Sequence, residues 1–202
     1  MSLNLPKSTE TDRFVAKTSF YKQPGMTPKL QDLIEQQIDR IVWKNKVAPA
    51  TMDISSGDIA EFQVFEIKLS AHELDSAVLV CLQKSVPYPI VFVVHGGKGS
   101  QAAAVTASAN GPVVLSTGWQ SGVSLEPKGD STDTLYKNYL LQISPRFAAV
   151  DGDTEKLVRA AKLKRTIDAL TAKSRKETDI PRRQGLARER HDLELELKEL
   201  LG

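Results

Sequence analysis

Residues 59–94, IAEFQVFEIKLSAHELDSAVLVCLQKSVPYPIVFVV, decide the fold of this chain. Alternating apolar and polar residues predict a strand over 59–69. Ser70 predicts the cap of a short helix, which Pro87-Tyr88-Pro89 ends. The unbroken β-branched and aromatic run at 90–94 is typical of a central strand buried on both faces. The stretch therefore predicts a strand, a helix and a second strand.

Two more strands are predicted after this stretch. A glycine-rich connection at 96–99 leads to a strand at about 101–107, and Asn110-Gly111 is a hairpin turn into another at about 112–119. The resulting β-α-β-β-β order predicts an α+β fold, with a mixed sheet of four to five strands and helices packed on one side.

The chain is predicted to have two parts. Residues 1–150 form the α+β domain, with an irregular N-terminal arm at 1–26 and amphipathic helices at 28–44 and 130–144. Beyond residue 150 aromatic residues vanish and charge density rises, so 151–202 is predicted to be a charged helical hairpin or coiled coil.

The apolar residues of the second part are spaced for helix pairing. Ala160, Leu163, Ile167 and Leu170 follow a 3-4-3 spacing, and leucines continue it after a proline-containing turn at 178–181. Two helices with narrow apolar stripes form either an antiparallel hairpin within one chain or a homodimer through these helices. Both readings stay open at this point.

Charge is divided unevenly along the chain. The formal net charge is +2, yet residues 156–190 contain twelve Lys or Arg against four Asp or Glu, a balance of +8. Such a basic segment suggests a polyanionic partner, DNA or RNA. Four basic residues flanking the predicted turn are the candidates for nucleic-acid contact: Arg175, Lys176, Arg182 and Arg183. The alternative is that these charges serve helix pairing.

Glu66 and Lys68 form the sharpest catalytic candidate. Nucleases of the PD-(D/E)xK class place an acid and a lysine two residues apart on one strand, where the carboxylate holds Mg²⁺ and the lysine assists the attacking water. Asp58 would supply the upstream acid. The competing interpretation is a cross-strand ion pair on a partly exposed sheet face, since an E-x-K sequence arises readily by chance.

The numbers and positions of the histidines and the cysteine limit which metal sites and which cellular compartment can be predicted. The three histidines, His72, His95 and His191, have no ligand spacing with Cys81, so no zinc site is predicted, and Mg²⁺ is expected only if the nuclease interpretation holds. A lone cysteine, with no apolar run of membrane-spanning or signal-peptide length, predicts a cytoplasmic protein without membrane contact.

Several short segments occur in an order that resembles a known family. They are Leu3-Asn4-Leu5-Pro6-Lys7-Ser8-Thr9, Trp43-Lys44, Val64-Phe65-Glu66-Ile67-Lys68-Leu69, Pro87-Tyr88-Pro89 and Trp119. Together they resemble the bacterial and archaeal family called domain of unknown function 4391, over nearly the whole chain. The resemblance implies no activity and no catalytic residues. It does imply a neighbourhood, because such genes are often found beside DNA methyltransferases and helicases of restriction-modification or phage-defence loci.

These observations favour a non-catalytic accessory protein of a restriction-modification or phage-defence system, which contacts DNA or a helicase or methyltransferase partner. The first alternative is a Mg²⁺-dependent nuclease that uses Asp58, Glu66 and Lys68. The second is a structural dimerisation module built on the C-terminal helices.

Overall fold

The computed structural model describes residues 3–107, 111–144 and 154–201. It divides the chain into two compact units, one formed by residues 1–106 and 114–145 and the other by 107–113 and 146–202. The predicted domain boundary at residue 150 and the predicted Asn110-Gly111 turn lie partly or wholly outside the described residues.

The first unit contains a six-stranded sheet in which the strands lie side by side in chain order. The strands are β1 (Glu10–Phe14), β2 (Ile38–Val47), β3 (Phe62–Leu69), β4 (Ile90–Gly96), β5 (Gly99–Thr106) and β6 (Val113–Ser116). The pairs β1–β2, β2–β3 and β4–β5 are antiparallel, whereas β3–β4 is parallel. The predicted mixed α+β sheet is confirmed, with six strands where four to five were predicted.

Besides one 3-10 turn at Lys7–Thr9, the described residues form six α-helices. They are α1 (Thr18–Tyr21), α2 (Pro28–Gln37), α3 (Ser76–Lys84), α4 (Thr132–Ile143), α5 (Thr154–Lys176) and α6 (Ile180–Leu201). Side chains cap three of the four helices of the first unit: Thr27 accepts a hydrogen bond from Leu30 N, Asp75 from Ala77 N and Ser131 from Thr134 N. These caps satisfy amide groups that a helix leaves unpaired at its start.

Two predicted helix boundaries were wrong. The predicted helix over 28–44 ends at Gln37, because Ile38 is already extended and begins β2, which pairs with β1 and β3. Ser70 does not cap a helix, since its N–H donates to Gln37 O; α3 starts six residues later behind Asp75. In both places pairing with a neighbouring segment outweighs local helix preference.

The predicted irregular arm contains regular structure. Residues 10–14 form β1, which joins the sheet edge antiparallel to β2. The short helix α1 follows, and its Phe20 is buried in the core. The extra strand therefore comes from a segment whose alternation is too short to recognise in the sequence.

Helices cover both faces of the sheet rather than the single face predicted. On the first face, Ile34 of α2 and Val78 of α3 belong to the same buried cluster as Ile67. On the second face, the centroid of the Phe62 ring lies 5.5 Å from that of Tyr136 and 5.9 Å from that of Tyr139, both on α4. Side chains three positions apart on a strand point to opposite faces, so the aromatic residues Phe62 and Phe65 serve the two layers separately.

The second unit is a helical pair. Ala160, Ile167 and Leu170 of α5 are buried, as their spacing predicted. Arg159 Nη2 lies 2.8 Å from Glu196 Oε1, which pairs the start of α5 with the end of α6 and makes the two helices antiparallel within one chain. Asp179 starts α6 by accepting a hydrogen bond from Arg182 N at 3.2 Å. Among the described residues, no helix has the length and apolar character needed to cross a membrane.

Candidate functional site

The second face of the sheet changes from apolar to polar along β3. Phe62 and Val64 are buried, whereas Glu66 and Lys68, on the same face, reach solvent. His95 of β4 emerges next to them, because Lys68 and His95 are register partners in the parallel pair. The predicted Glu66–Lys68 spacing on one face is therefore confirmed by the strand.

Each charge of this pair is engaged by a different neighbouring strand. Lys68 Nζ lies 3.3 Å from Asp39 Oδ2 on β2. Glu66 Oε1 lies 3.5 Å from His95 Nε2 on β4, and His95 Nδ1 lies 3.0 Å from Ser100 Oγ on β5. These are cross-strand polar pairs on an exposed sheet face, as the non-catalytic interpretation anticipated.

Asp58 lies away from the other two predicted catalytic residues. It precedes β3 by four residues, and its N–H donates to Asp133 Oδ2 of α4 at 2.8 Å. Glu66 is four residues further along the strand than Phe62, a distance of about 13 Å. The structure does not bring Asp58 to Glu66 and Lys68. Within the described ranges, no group of three or more His, Cys, Asp or Glu side chains is placed to hold a metal ion.

A cleft of about 170 Å³ adjoins Glu66 on this face. Its polar lining includes Glu10, Lys44, Asn45 and Glu66. Lys44 Nζ lies 2.6 Å from Asp12, and this hydrogen bond, with the nearby Asp12, Glu66 and Glu10 carboxylates, raises the pKa of Lys44 above its usual range. Because Lys44 stays protonated, it partly compensates the acids around it.

The four predicted nucleic-acid residues surround the turn between α5 and α6. Arg175, Lys176, Arg182 and Arg183 are all exposed. Arg182 Nε lies 3.8 Å from Asp179 Oδ2, whereas the other three residues have no ion-pair partner among the described residues. The structure therefore brings these four residues to one end of the hairpin, as predicted.

A second basic feature, which shares Lys176 with the first, runs along α5. Lys162, Arg165, Lys173 and Lys176 are exposed and unpaired within the described part of the chain. At about 100° per residue they fall within an arc of about 80° on one side of the helix. We call these four residues the basic stripe. Their spacing of 3, 8 and 3 residues is the sequence signal that would have revealed it.

Some other basic residues of the hairpin pair with acids within it. Lys164 pairs with Asp168 at 3.1 Å, and Arg190 pairs with Glu194 at 3.2 Å. Arg159 joins the two helices through Glu196. The hairpin thus separates basic side chains that pair internally from those of the stripe, which face solvent.

Residues 3–197 match the family model described as Domain of unknown function (DUF4391). The chain belongs to this family. The resemblance inferred from the sequence is therefore confirmed, and the family model includes most of the helical hairpin as well as the sheet. Searches of curated proteins and of solved structures find no match.

Proposed function

We propose that this protein is a non-catalytic accessory protein that contacts nucleic acid through α5, in the setting of a restriction-modification or phage-defence system. The main observation that supports this proposal is the basic stripe. Four cations share one side of a helix, and none has an acidic partner among the residues described.

Without a partner, the charges of the stripe destabilise α5. Like charges three or four residues apart destabilise a helix by about 0.2–0.5 kcal/mol per pair, and both Lys162–Arg165 and Lys173–Lys176 have this spacing. A phosphate backbone would relieve the repulsion and release its bound counterions. The arrangement therefore favours a polyanion over a neutral protein partner.

The sheet face supports a non-catalytic role. Glu66 and Lys68 are engaged by His95 and Asp39, and Asp58 lies at the far end of β3. The helicase or methyltransferase partner and the defence setting rest on the family resemblance. In this proposal the first unit provides the surface for that partner.

The proposal is tested by fluorescence anisotropy with full-length protein and a labelled mixed-sequence duplex of about 30 base pairs. We expect binding at about 50 mM salt that weakens steeply towards about 200 mM. Replacing all four stripe residues with glutamine should reduce affinity at least tenfold, which is the order expected for losing about four phosphate contacts.

A matched control separates a local contact from a general charge effect. Lys22, Lys29, Lys84 and Lys128 are exposed on the first unit, and replacing them with glutamine removes the same charge. This control variant should bind within about twofold of the unmodified protein at equal salt. Absence of binding by the unmodified protein at low salt, or an equal loss in both variants, would overturn the proposal.

A further inference from the structure

The basic stripe consists of two pairs of cations separated by a gap. Lys162 and Arg165 form one pair, and Lys173 and Lys176 form the other. The pair centres are eleven residues apart, which is about 16 Å at 1.5 Å per residue. The stripe therefore resembles two separate anchors more than a continuous patch.

The helix surface between the two pairs is small and uncharged. Thr166, Ala169 and Ala172 are exposed on the same side of α5 as the stripe. The one acid in this part of the helix, Asp168, lies about 100° away from Ala169 and pairs with Lys164. Nothing on this side of α5 between the anchors repels a phosphate or holds the helix away from a surface.

These dimensions match one form of nucleic acid. The major groove of B-DNA is about 12 Å wide, so pairs about 16 Å apart can reach the phosphates on its two sides. The minor groove, about 6 Å wide, is too narrow for the same contact, and the major groove of A-form RNA is narrow and deep. We infer that α5 lies across the major groove of double-stranded DNA and holds one phosphate backbone with each cation pair. This inference rests on the proposed function.

The same surface has little means to recognise bases. Residues 154–176, which form α5, contain no Phe, Tyr, Trp or His, so this helix offers the bases of a single strand no aromatic ring to stack on. The Thr166 hydroxyl already donates to Lys162 O at 3.2 Å, and the alanines offer no hydrogen bond to base edges. Binding is therefore independent of sequence and specific for the duplex.

The inference is tested by competition with full-length protein. Unlabelled duplex DNA, single-stranded DNA and duplex RNA of equal length and sequence compete for the labelled duplex at equal salt. We expect duplex DNA to compete about tenfold better than either alternative. The plot of log affinity against log salt should have a slope of about −3.6, the value for four phosphate contacts, falling to about −1.8 in K162Q/R165Q and in K173Q/K176Q.

A substitution between the anchors probes the approach of the helix directly. A169E places a carboxylate between the cation pairs, whereas R188Q makes the same change in net charge on α6, where Arg188 is exposed. We expect A169E to weaken duplex binding about tenfold and R188Q to change it less than about threefold.

The outcomes distinguish this inference from the proposed function. Equal competition by all three nucleic acids, or equal effects of A169E and R188Q, would overturn the duplex-groove assignment while leaving contact with nucleic acid in place. Absence of binding to every nucleic acid would overturn both. Circular dichroism of each variant establishes that α5 and α6 are still folded.

Discussion

Glu66 and Lys68 leave the same face of β3, yet each is held by a different neighbouring strand. Lys68 contacts Asp39 on β2, and Glu66 contacts His95 on β4. The Lys68 and Asp39 side chains are 69% and 52% exposed, so solvent screens their attraction and the pair contributes about 1 kcal/mol at most. These residues make the sheet face polar, and Asp58, the third residue of the nuclease hypothesis, is held by Asp133 instead.

A nicking assay tests this interpretation at the residue scale. We expect no conversion of supercoiled plasmid to nicked circles above background with Mg²⁺ or Mn²⁺, because Asp58 does not reach Glu66 and Lys68. The variants Glu66→Gln and Lys68→Met should behave in the same way as the unmodified protein. Metal-dependent nicking that disappears in a folded Glu66→Gln variant would contradict the expectation and restore the nuclease hypothesis.

The sequence could predict only part of this arrangement. The two-residue spacing correctly places Glu66 and Lys68 on one face, because side chains alternate along a strand. It could not show that Asp39 lies beside Lys68, since the apolar spacing predicts one helix over 28–44 and Asp39 in fact belongs to a strand. An error in one element thus concealed the partner of a residue in another.

At the scale of elements, the start of α4 fixes the segment that leads into β3. The Asp133 carboxylate accepts hydrogen bonds from Asp58 N and Ile59 N, each at 2.8 Å. Ser55 N donates to Asp130 O at 2.8 Å, so the two segments are joined by backbone contacts as well. A loop of the sheet layer and the start of a helix on its second face are thereby held together.

Gly57 lies against Asp133 at this junction, so a side chain at position 57 would disturb it. A Cβ atom there would lie 1.6 Å from Asp133 Oδ2, so Gly57→Ala must displace a carboxylate that holds two backbone N–H groups. We expect a loss of about 2 kcal/mol in the free energy of unfolding, measured by urea denaturation.

Gly122→Ala is the matched control for this prediction. No atom lies within 4 Å of its Cβ position, and its φ lies outside the left-handed range. The control should change stability by less than about 0.5 kcal/mol. Equal urea midpoints for the two variants would show that the Asp133 junction does not stabilise the first unit.

Element boundaries show where sequence patterns suffice. Ile34, Ile38 and Ile41 fit helical spacing, yet α2 ends at Gln37 because the residues after it pair with β1 and β3. By contrast, the turn between α5 and α6 is correctly predicted, since Asp179 and Pro181 act locally. Local signals were sufficient where no distant strand competed for the same residues.

At the scale of the whole molecule, the C-terminal helices pair within one chain. Ala160, Ile167 and Leu170 are buried in the absence of a second copy. The Arg159–Glu196 ion pair joins the two helices at 2.8 Å. A structural dimer through these helices would have to separate α5 from α6 of the same chain or use another surface.

The mass in solution tests the dimerisation alternative. We expect light scattering to give a mass near 22.2 kDa that does not change with protein concentration. Glu196→Lys, which opposes Arg159, should leave this mass unchanged while weakening the pairing of α5 and α6. A mass near twice that value, reduced to one chain by Glu196→Lys, would instead indicate dimerisation through the helices.

The overall class was predictable because strand, helix and strand follow one another in 59–94, an order that allows β3 and β4 to pair in parallel, as they do. The placement of helices on both faces was not, since α4 lies far from Phe62 in the sequence and meets it only after folding. The basic residues were recognised as a group, but their division into paired and unpaired sets depends on distances that a sequence does not contain.

The proposed contact of the basic stripe with duplex DNA has a consequence for movement along that duplex. A helix that touches phosphates and no base edges finds the same set of contacts after each base-pair step, because the backbone repeats regularly while the sequence varies. In the proposed complex no single position would be preferred, and the protein would slide along the duplex in one dimension between encounters. An accessory protein of this kind would bind DNA without sequence preference and move along it, whereas its partner would recognise the specific site.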